Sequence, residues 1–215
     1  MYRYFIFDMD GTLVDTTRGI IAALQEMERR LHLKALGAAT LRRFIGPPLK
    51  ESFMKYYGVS LDETEDMTRV YRDSYMDVGI DKTEVFAGAA EVLNKIRALG
   101  YKSAIATLKQ HQLATKTLQA TGLDRLTDYI CLNLDNSLGD KAEMIRQCLA
   151  ALGCADPAQA VMIGDSPYDG FAARDAGIDF IPLLCGEGFQ DPRAADSVPC
   201  AARAGSLAEI AEYIQ

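Results

Sequence analysis

The 215-residue sequence predicts an α/β fold, a doubly wound parallel-sheet (Rossmann-like) core with an all-helical cap domain inserted after the first strand. Two observations predict it. From about residue 85 onward, short apolar segments alternate with segments of helical periodicity, as in repeated βα units of a parallel sheet. Residues 15–81, by contrast, carry only helical patterns. We therefore assign residues 1–14 and 82–215 to the core and residues 15–81 to the cap.

The first strand is the mostly apolar run that ends at Asp8. Its lack of polar alternation indicates a strand that is covered on both faces. The cap follows, and its helices are interrupted by glycine at positions 37, 46 and 58. Apolar residues at helical spacing predict cap helices over residues 20–31, 40–45, 49–57 and 61–78.

In the core, Gly100, Gly122, Gly153 and Gly177 each follow a segment of helical periodicity and are interpreted as helix ends. Core helices are predicted over residues 87–99, 110–120, 141–152, 167–176 and 206–214. Core strands are predicted over residues 102–107, 129–132, 160–163 and 178–184.

Composition excludes several classes of protein. The net charge of −7 argues against nucleic acid as a partner, because no basic stripe is present to meet phosphates. No apolar run has the length of a membrane span, and the start shows no signal-peptide pattern, so we expect a cytoplasmic protein without a membrane partner. The five cysteines are odd in number and lack paired metal-ligand spacing, which favours reduced thiols. With two histidines in the chain, histidine chemistry is disfavoured.

Asp8 and Asp10 follow directly after the first strand. In open α/β sheets, catalytic groups lie just past the carboxyl ends of strands. Two carboxylates so close repel each other unless a cation or a proton lies between them. The pair therefore predicts a hard metal ion as a cofactor, and Mg²⁺, which prefers oxygen ligands, is the ion expected.

Four further polar residues follow later strands: Thr107, Lys141, Asp165 and Asp169. Each has an ordinary alternative, namely a strand-terminal threonine, a solvated lysine, a turn aspartate and a residue that complements a helix dipole. Because all of these residues come at successive strand ends of one sheet, a shared site is favoured instead. Such a set describes phosphoryl transfer, in which one aspartate attacks phosphorus, a second handles protons, and a metal with Lys and Thr neutralises charge.

These motifs together resemble the haloacid dehalogenase superfamily, and most closely its phosphoglycolate phosphatase-like members with a helical cap. The resemblance spans the chain and rests on Asp8-Met-Asp10-Gly11-Thr12-Leu-Val-Asp15, Thr107, Lys141 and Gly164-Asp165-Ser-Pro-Tyr-Asp169. One departure is that Leu108 and Lys109 follow Thr107, where many members place an asparagine directly after the threonine or serine.

The resemblance implies a role for each core residue. Asp8 would be the nucleophile and Asp10 the general acid and base. Mg²⁺ would be held by Asp8, by the backbone carbonyl of Asp10 and by Asp165. The phosphoryl group would be bound by Thr107 and Lys141. Asp169 would support the metal or Lys141.

The cap is predicted to select the substrate. Arg42 and Arg43 are candidates for pairing with a carboxylate or a second phosphate, and Phe44 for covering the leaving group. The alternative is a solvated basic turn over a packed phenylalanine. The glycine-rich segment 186–189, after the last strand, is interpreted as a loop in preference to a binding element.

The leading prediction is a Mg²⁺-dependent phosphatase that hydrolyses a small phosphomonoester through an aspartyl-phosphate. Phosphoglycolate-like compounds, nucleotides, sugar phosphates and pyrophosphate are the substrates expected. A phosphomutase on the same scaffold is one alternative, and a non-enzymatic phospho-receiver or binding module is another. The expected partner is a small phosphorylated metabolite, and the chain is expected to be a monomer or a homodimer.

Overall fold

The structure is a computed structural model that describes residues 1–45, 47–134, 140–186, 188–189 and 192–214, with the backbone alone for 192–194. The chain divides into two compact units. The core unit comprises Met1–Asp15 and Val85–Gln215, and the cap unit comprises Thr16–Glu84. These boundaries lie within a few residues of those expected from the sequence.

Strands of the core unit form a five-stranded parallel sheet in the order β5-β4-β1-β6-β7. Their bounds are Tyr4–Phe7 (β1), Lys102–Gln110 (β4), Tyr129–Asn133 (β5), Ala160–Gly164 (β6) and Asp179–Pro182 (β7). A separate two-stranded sheet joins β2 (Val14–Asp15) and β3 (Glu84–Val85). The sequence did not predict these two strands, because two residues are too few to show a period. The predicted fold class, a parallel sheet with helices around it, is confirmed.

The β1 strand lies at the centre of the sheet, and its side chains point alternately to the two faces. Phe5 and Phe7 are fully buried in one apolar cluster, and Ile6 is fully buried in a second. The two clusters cover opposite faces of the sheet, which explains why β1 shows no polar alternation.

Helices of the core unit are α5 (Ala89–Ala98), α6 (His111–Thr121), α7 (Lys141–Leu152), α8 (Pro167–Ala176) and α9 (Leu207–Ile210). The α7 helix has the bounds that the sequence predicts. The predicted last helix is shorter, because a 3₁₀ turn over Ala211–Tyr213 replaces its second half. The β4 strand extends past the predicted end at residue 107, and a bulge accompanies the extension.

The cap unit is helical, with α1 (Thr17–Arg30), α2 (Ala38–Arg42), α3 (Leu49–Tyr57) and α4 (Glu63–Ser74). The predicted helix over residues 61–78 changes to a π-helical turn at Tyr75–Gly79. A Cβ atom on Gly19 of α1 would lie 2.5 Å from the carbonyl oxygen of Gly79. The two backbones therefore approach each other at a distance that only glycine permits.

Among the residues that the structure describes, no helix has both the length and the apolar character needed to span a bilayer.

Candidate active site

Side chains from three neighbouring strands and from two helix starts meet at the carboxyl edge of the central strands. Asp8 directly follows β1, Asp165 directly follows β6, and Thr107 lies near the end of β4. Lys141 is the first residue of α7. Because β4, β1 and β6 are adjacent and parallel, residues at their carboxyl ends lie at one edge of the sheet.

Lys141 connects two of the aspartates. Its Nζ lies 2.7 Å from Oδ1 of Asp8 and also forms an ion pair with Oδ1 of Asp169. Only 9% of the Lys141 side chain is exposed, and Asp169 is fully buried. Buried charges are stable only when paired, so this triad is a single electrostatic unit.

The orientation of Asp169 is fixed by a capping box at the start of α8. The Oδ2 atom of Asp169 accepts hydrogen bonds from the Ser166 backbone N–H at 3.0 Å and from the Ser166 hydroxyl at 2.6 Å. The Ser166 hydroxyl in turn accepts a bond from the Asp169 backbone N–H. One carboxylate oxygen thus serves the helix start, which leaves the other directed at Lys141.

A helix start is an unfavourable place for a cation, because the helix dipole is positive there. Asp140 caps α7 by accepting a hydrogen bond from the Ala142 backbone N–H at 2.9 Å. The carboxylates of Asp8 and Asp169 supply the opposite charge that Lys141 needs. Burial alone would lower the pKa of Lys141, but these two neighbours raise it above its ordinary value.

Asp165 lies among glycines. The Gly188 backbone N–H donates to its Oδ2 at 2.9 Å, and the Thr12 hydroxyl lies 3.5 Å from its Oδ1. A Cβ atom would lie 2.1 Å from Oδ2 if built on Gly11 and 2.4 Å from it if built on Gly186. The segment interpreted from sequence as a loop therefore contacts a predicted metal ligand through its backbone. Glycine spacing alone did not reveal this contact.

Burial and mutual repulsion raise the pKa values of two of these carboxyls. Burial raises the pKa of Asp8 to about 7; Lys141 opposes the rise, and Asp169 adds to it. Burial likewise raises the pKa of Asp165 to about 8, with further contributions from the charges of Asp8 and Asp169. When all three carboxyls are ionised, Asp8, Asp165 and Asp169 carry more negative charge than Lys141 offsets.

This excess of negative charge fits a divalent cation. One carboxylate oxygen each from Asp8, Asp165 and Asp169 lies within 4.8 Å of the others. An oxygen-only donor set suits Mg²⁺, and a cation here would offset the repulsion that raises the two pKa values. Asp8 and Asp165 are two of the predicted ligands, and Asp169, which is paired with Lys141, is the third side chain of the group. The third predicted ligand, the backbone carbonyl of Asp10, stays a prediction.

Asp10 pairs with a lysine that the sequence reasoning left without a role. Lys109 Nζ lies 3.0 Å from Oδ1 and 3.3 Å from Oδ2 of Asp10. The backbone N–H of Lys109 donates to the hydroxyl oxygen of Thr107 at 3.2 Å, and Thr107 is buried. The signal in the sequence was the spacing of Thr107 and Lys109, which places a cation two residues after a strand-end threonine.

The cap residues lie in the other unit. Phe44 is 4% exposed, and its ring packs on those of Phe53, Tyr56 and Tyr57 at centroid distances of 5.2–6.0 Å. It is therefore a core residue of the cap, as the packed-phenylalanine alternative describes. Arg43 is exposed at the end of α2. The roles of Arg42 and Arg43 in substrate selection stay predictions.

Comparison with known proteins agrees with this arrangement. Residues 5–183 match the family model described as haloacid dehalogenase-like hydrolase. A 5'-nucleotidase from Pseudomonas aeruginosa is 32% identical over 88% of this chain and 86% of its own length. A tyrosine-protein kinase from Mycobacterium tuberculosis is 28% identical over 97% of this chain and 71% of its own.

Among solved structures, a haloacid dehalogenase-like family hydrolase from Streptococcus pneumoniae superimposes with a TM-score of 0.88 at 28% identity. The match covers 100% of this chain and 99% of that one. Because the family model covers most of the sequence and the fold agrees over its whole length, the chain belongs to the haloacid dehalogenase-like hydrolases, as a phosphatase of that family.

Proposed function

We propose that the chain hydrolyses a small phosphomonoester with the help of Mg²⁺, through an aspartyl-phosphate on Asp8. The observation that carries the proposal is the pairing of the Asp8 carboxylate with buried Lys141, beside the carboxylate of Asp165. A nucleophilic carboxylate needs its attacking oxygen next to positive charge that can also meet the incoming phosphoryl group.

In the first half of the proposed reaction, an Asp8 carboxylate oxygen attacks phosphorus. The bond between phosphorus and the leaving-group oxygen breaks, and Asp10 donates a proton to that oxygen. Lys141 and Thr107 bind the phosphoryl oxygens while their charge redistributes. Asp169 keeps the Lys141 ammonium in place.

In the second half, Asp10 removes a proton from a water molecule, which attacks phosphorus. The bond between phosphorus and Asp8 breaks, inorganic phosphate leaves, and the Asp8 carboxylate is restored. Asp8, Asp165 and the backbone carbonyl of Asp10 would hold Mg²⁺, with Asp169 close by. When bound, the ion supplies charge neutralisation for the phosphate oxygens.

The substrate class proposed is a small phosphorylated metabolite. The name of the Pseudomonas relative, a 5'-nucleotidase, supports nucleoside monophosphates as one member of the test panel. Sugar phosphates and phosphoglycolate are the others. The kinase name of the mycobacterial relative adds one check, that the phosphate lost from the substrate is recovered as free phosphate and not on protein tyrosine.

The test is the substitution Asp8→Asn, which keeps the shape of the side chain and removes the nucleophile. We expect phosphate release from every substrate of the panel to fall to background, with an unchanged circular dichroism spectrum. The matched control is Asp179→Asn. Asp179 accepts a hydrogen bond from the Tyr2 hydroxyl and is not one of the residues of the candidate active site. Substantial turnover by Asp8→Asn would remove Asp8 as the nucleophile. A product isomer formed without free phosphate would favour the phosphomutase.

A further inference from the structure

We propose that Lys109 is a positioning residue for Asp10, and that a bulge in β4, secured by Asn133, directs Lys109 at that carboxylate. This inference rests on the proposed function, because it concerns the residue proposed to transfer protons. It assigns a task to the residue that follows Leu108, the position at which many members carry an asparagine.

The contact itself restricts the Asp10 side chain. Lys109 Nζ is within hydrogen-bonding distance of both carboxylate oxygens of Asp10, at 3.0 and 3.3 Å. The Lys109 side chain is 10% exposed and that of Asp10 is 31% exposed. A cation that contacts both oxygens limits rotation of the carboxylate, and its own burial limits its alternative positions.

The backbone on which Asp10 lies is already fixed. Gly11 N–H donates to the carbonyl of Val14 at 2.8 Å, and Val14 N–H donates to the carbonyl of Met9 at 3.1 Å. Gly11 has φ +80°, a conformation that favours glycine. The freedom that is left to Asp10 is therefore in its side-chain torsions, and these are the torsions that Lys109 restrains.

A bulge in β4 determines where Lys109 starts. Thr107 lies opposite Leu132, and Gln110 lies opposite the next residue of β5, Asn133. Leu108 and Lys109 are therefore two extra residues of β4 that have no partner position on β5. Bulges bend a strand and change the direction of its side chains. Here the register shifts immediately after Thr107.

Hydrogen bonds among the described residues hold the bulge. The Asn133 amide Nδ2 donates to the carbonyl oxygen of Leu108 at 3.3 Å. The Lys109 backbone N–H donates to Thr107 Oγ1 at 3.2 Å. The first bond is made by a side chain of the neighbouring strand, so the position of Lys109 depends on a residue that itself has no part in the proposed reaction.

Loss of the Lys109 contact should lower kcat more than it changes KM. Asp10 must reach the leaving-group oxygen in the first half of the reaction and a water molecule in the second. A displacement of about 1 Å can lower a rate about 100-fold, because proton transfer needs a short and aligned contact. An orientation used only in the transition state changes kcat, whereas lost ground-state binding raises KM.

The experiment compares Lys109→Met with Lys109→Arg, using Lys102→Met as the matched control. Lys102 lies on the same strand and pairs with Asp128 at 2.9 Å, away from Asp10. For an alkyl phosphate, Lys109→Met is expected to lower kcat about 10- to 100-fold, with KM changed less than about 3-fold. This is part of the roughly 100- to 10,000-fold that general acid–base catalysis supplies, because the variant misplaces Asp10 without removing it. Lys109→Arg should recover most of this loss, and Lys102→Met should resemble the wild type.

A second measurement compares substrates whose leaving groups differ in their need for a proton. If Lys109 had only a structural role, the variant would lose the same factor with both substrates. In rapid-quench experiments, the phosphoenzyme forms from p-nitrophenyl phosphate without protonation of the leaving group. Its rate of formation in Lys109→Met should stay within about 3-fold of the wild type, while formation from the alkyl phosphate falls about 10-fold or more. Equal losses for both substrates would overturn the inference, as would a raised KM with unchanged kcat.

The role of the bulge is tested by Asn133→Ala, alone and combined with Lys109→Met. If Asn133 acts through Lys109, Asn133→Ala lowers kcat on its own and causes no further loss in the double variant. Independent, multiplicative losses would overturn this part. Thermal melting of each variant distinguishes a loss of folding from a loss of Asp10 orientation. If Lys109→Met does not fold, Lys109→Arg and Asn133→Ala still test the proposal.

The two levels of proposal fail in different ways. An active Asp8→Asn variant would overturn the proposed function. An inactive Asp8→Asn variant together with a wild-type-like Lys109→Met variant would overturn only the role of Lys109.

Discussion

Addition of Mg²⁺ is expected to raise the melting temperature of the wild-type protein by about 5–11 °C. The reason is that carboxylate oxygens of Asp8, Asp165 and Asp169 lie within 4.8 Å of one another. In the described contacts, Lys141 forms ion pairs with Asp8 and Asp169 but not with Asp165. A cation that binds this group in the folded protein, and not in the unfolded chain, stabilises the fold by mass action.

The magnitude follows from the affinity and from the size of the chain. At an ion concentration about 100 times the dissociation constant, the free energy of unfolding rises by about 2.7 kcal/mol. For a chain of about 150–250 residues, each kcal/mol shifts the melting temperature by about 2–4 °C. The product is the range given above, and at lower saturation the shift falls with the logarithm of the concentration.

The assay is differential scanning calorimetry during a Mg²⁺ titration at constant ionic strength, with K⁺ as the ionic-strength control. Asp165→Asn should abolish the shift, because it removes one of the three carboxylates. It should not destabilise the metal-free protein, because it also removes a source of repulsion. Asp179→Asn should keep the full shift. An equal shift in Asp165→Asn and the wild type, or none at millimolar Mg²⁺ in the wild type, would refute the reasoning.

Two further predictions concern a glycine and the cap. Gly11→Ala places a Cβ 2.1 Å from Asp165 Oδ2 at φ +80°, so both activity and the Mg²⁺-induced shift should fall, beyond the roughly 1–2 kcal/mol of backbone strain. Gly100→Ala, at φ +74° with no atom within 4 Å, is the control that shows strain alone; equal effects would contradict the steric argument. Replacing Arg42 and Arg43 by alanine should raise KM or change substrate ranking more than it lowers turnover of an aryl phosphate. Equal losses on every substrate would mean that these arginines do not read the leaving group.

Most of the sheet could be predicted from sequence because its strands are short, apolar and followed by helical segments. The bounds of α7 and α3 were predicted correctly, since each begins after a recognisable start signal and ends at a glycine in the left-handed conformation. The π-helical turn at Tyr75–Gly79 was not predicted, because it depends on how closely two backbones approach and not on a periodic pattern.

The candidate site could be predicted where residue type and strand end coincide, as at Asp8 and Asp165, and where a capping aspartate marks a helix start, as at Lys141. Two contacts could not be predicted. Gly188 binds Asp165 through its backbone N–H, and every residue except proline offers the same group, so the sequence carries no mark of it. The spacing of Thr107 and Lys109 was visible in the sequence, but Lys109 lies in a bulge, and a bulge is set by the pairing of two separate strands.

The central position of β1 determines the order in which the molecule can assemble. Tyr4 pairs with Lys102 on one side and with Ala160 on the other, so the strand that carries Asp8 must close two long loops before it is buried. A proteolytic fragment that ends before β6 would retain Asp8. It would lack β6, which is one of the two neighbours of β1, and the carboxylate of Asp165. If Asp8 is the nucleophile, as proposed, we expect it to be inactive until nearly the whole core has folded, so that a nicked or half-folded copy forms no phosphoenzyme.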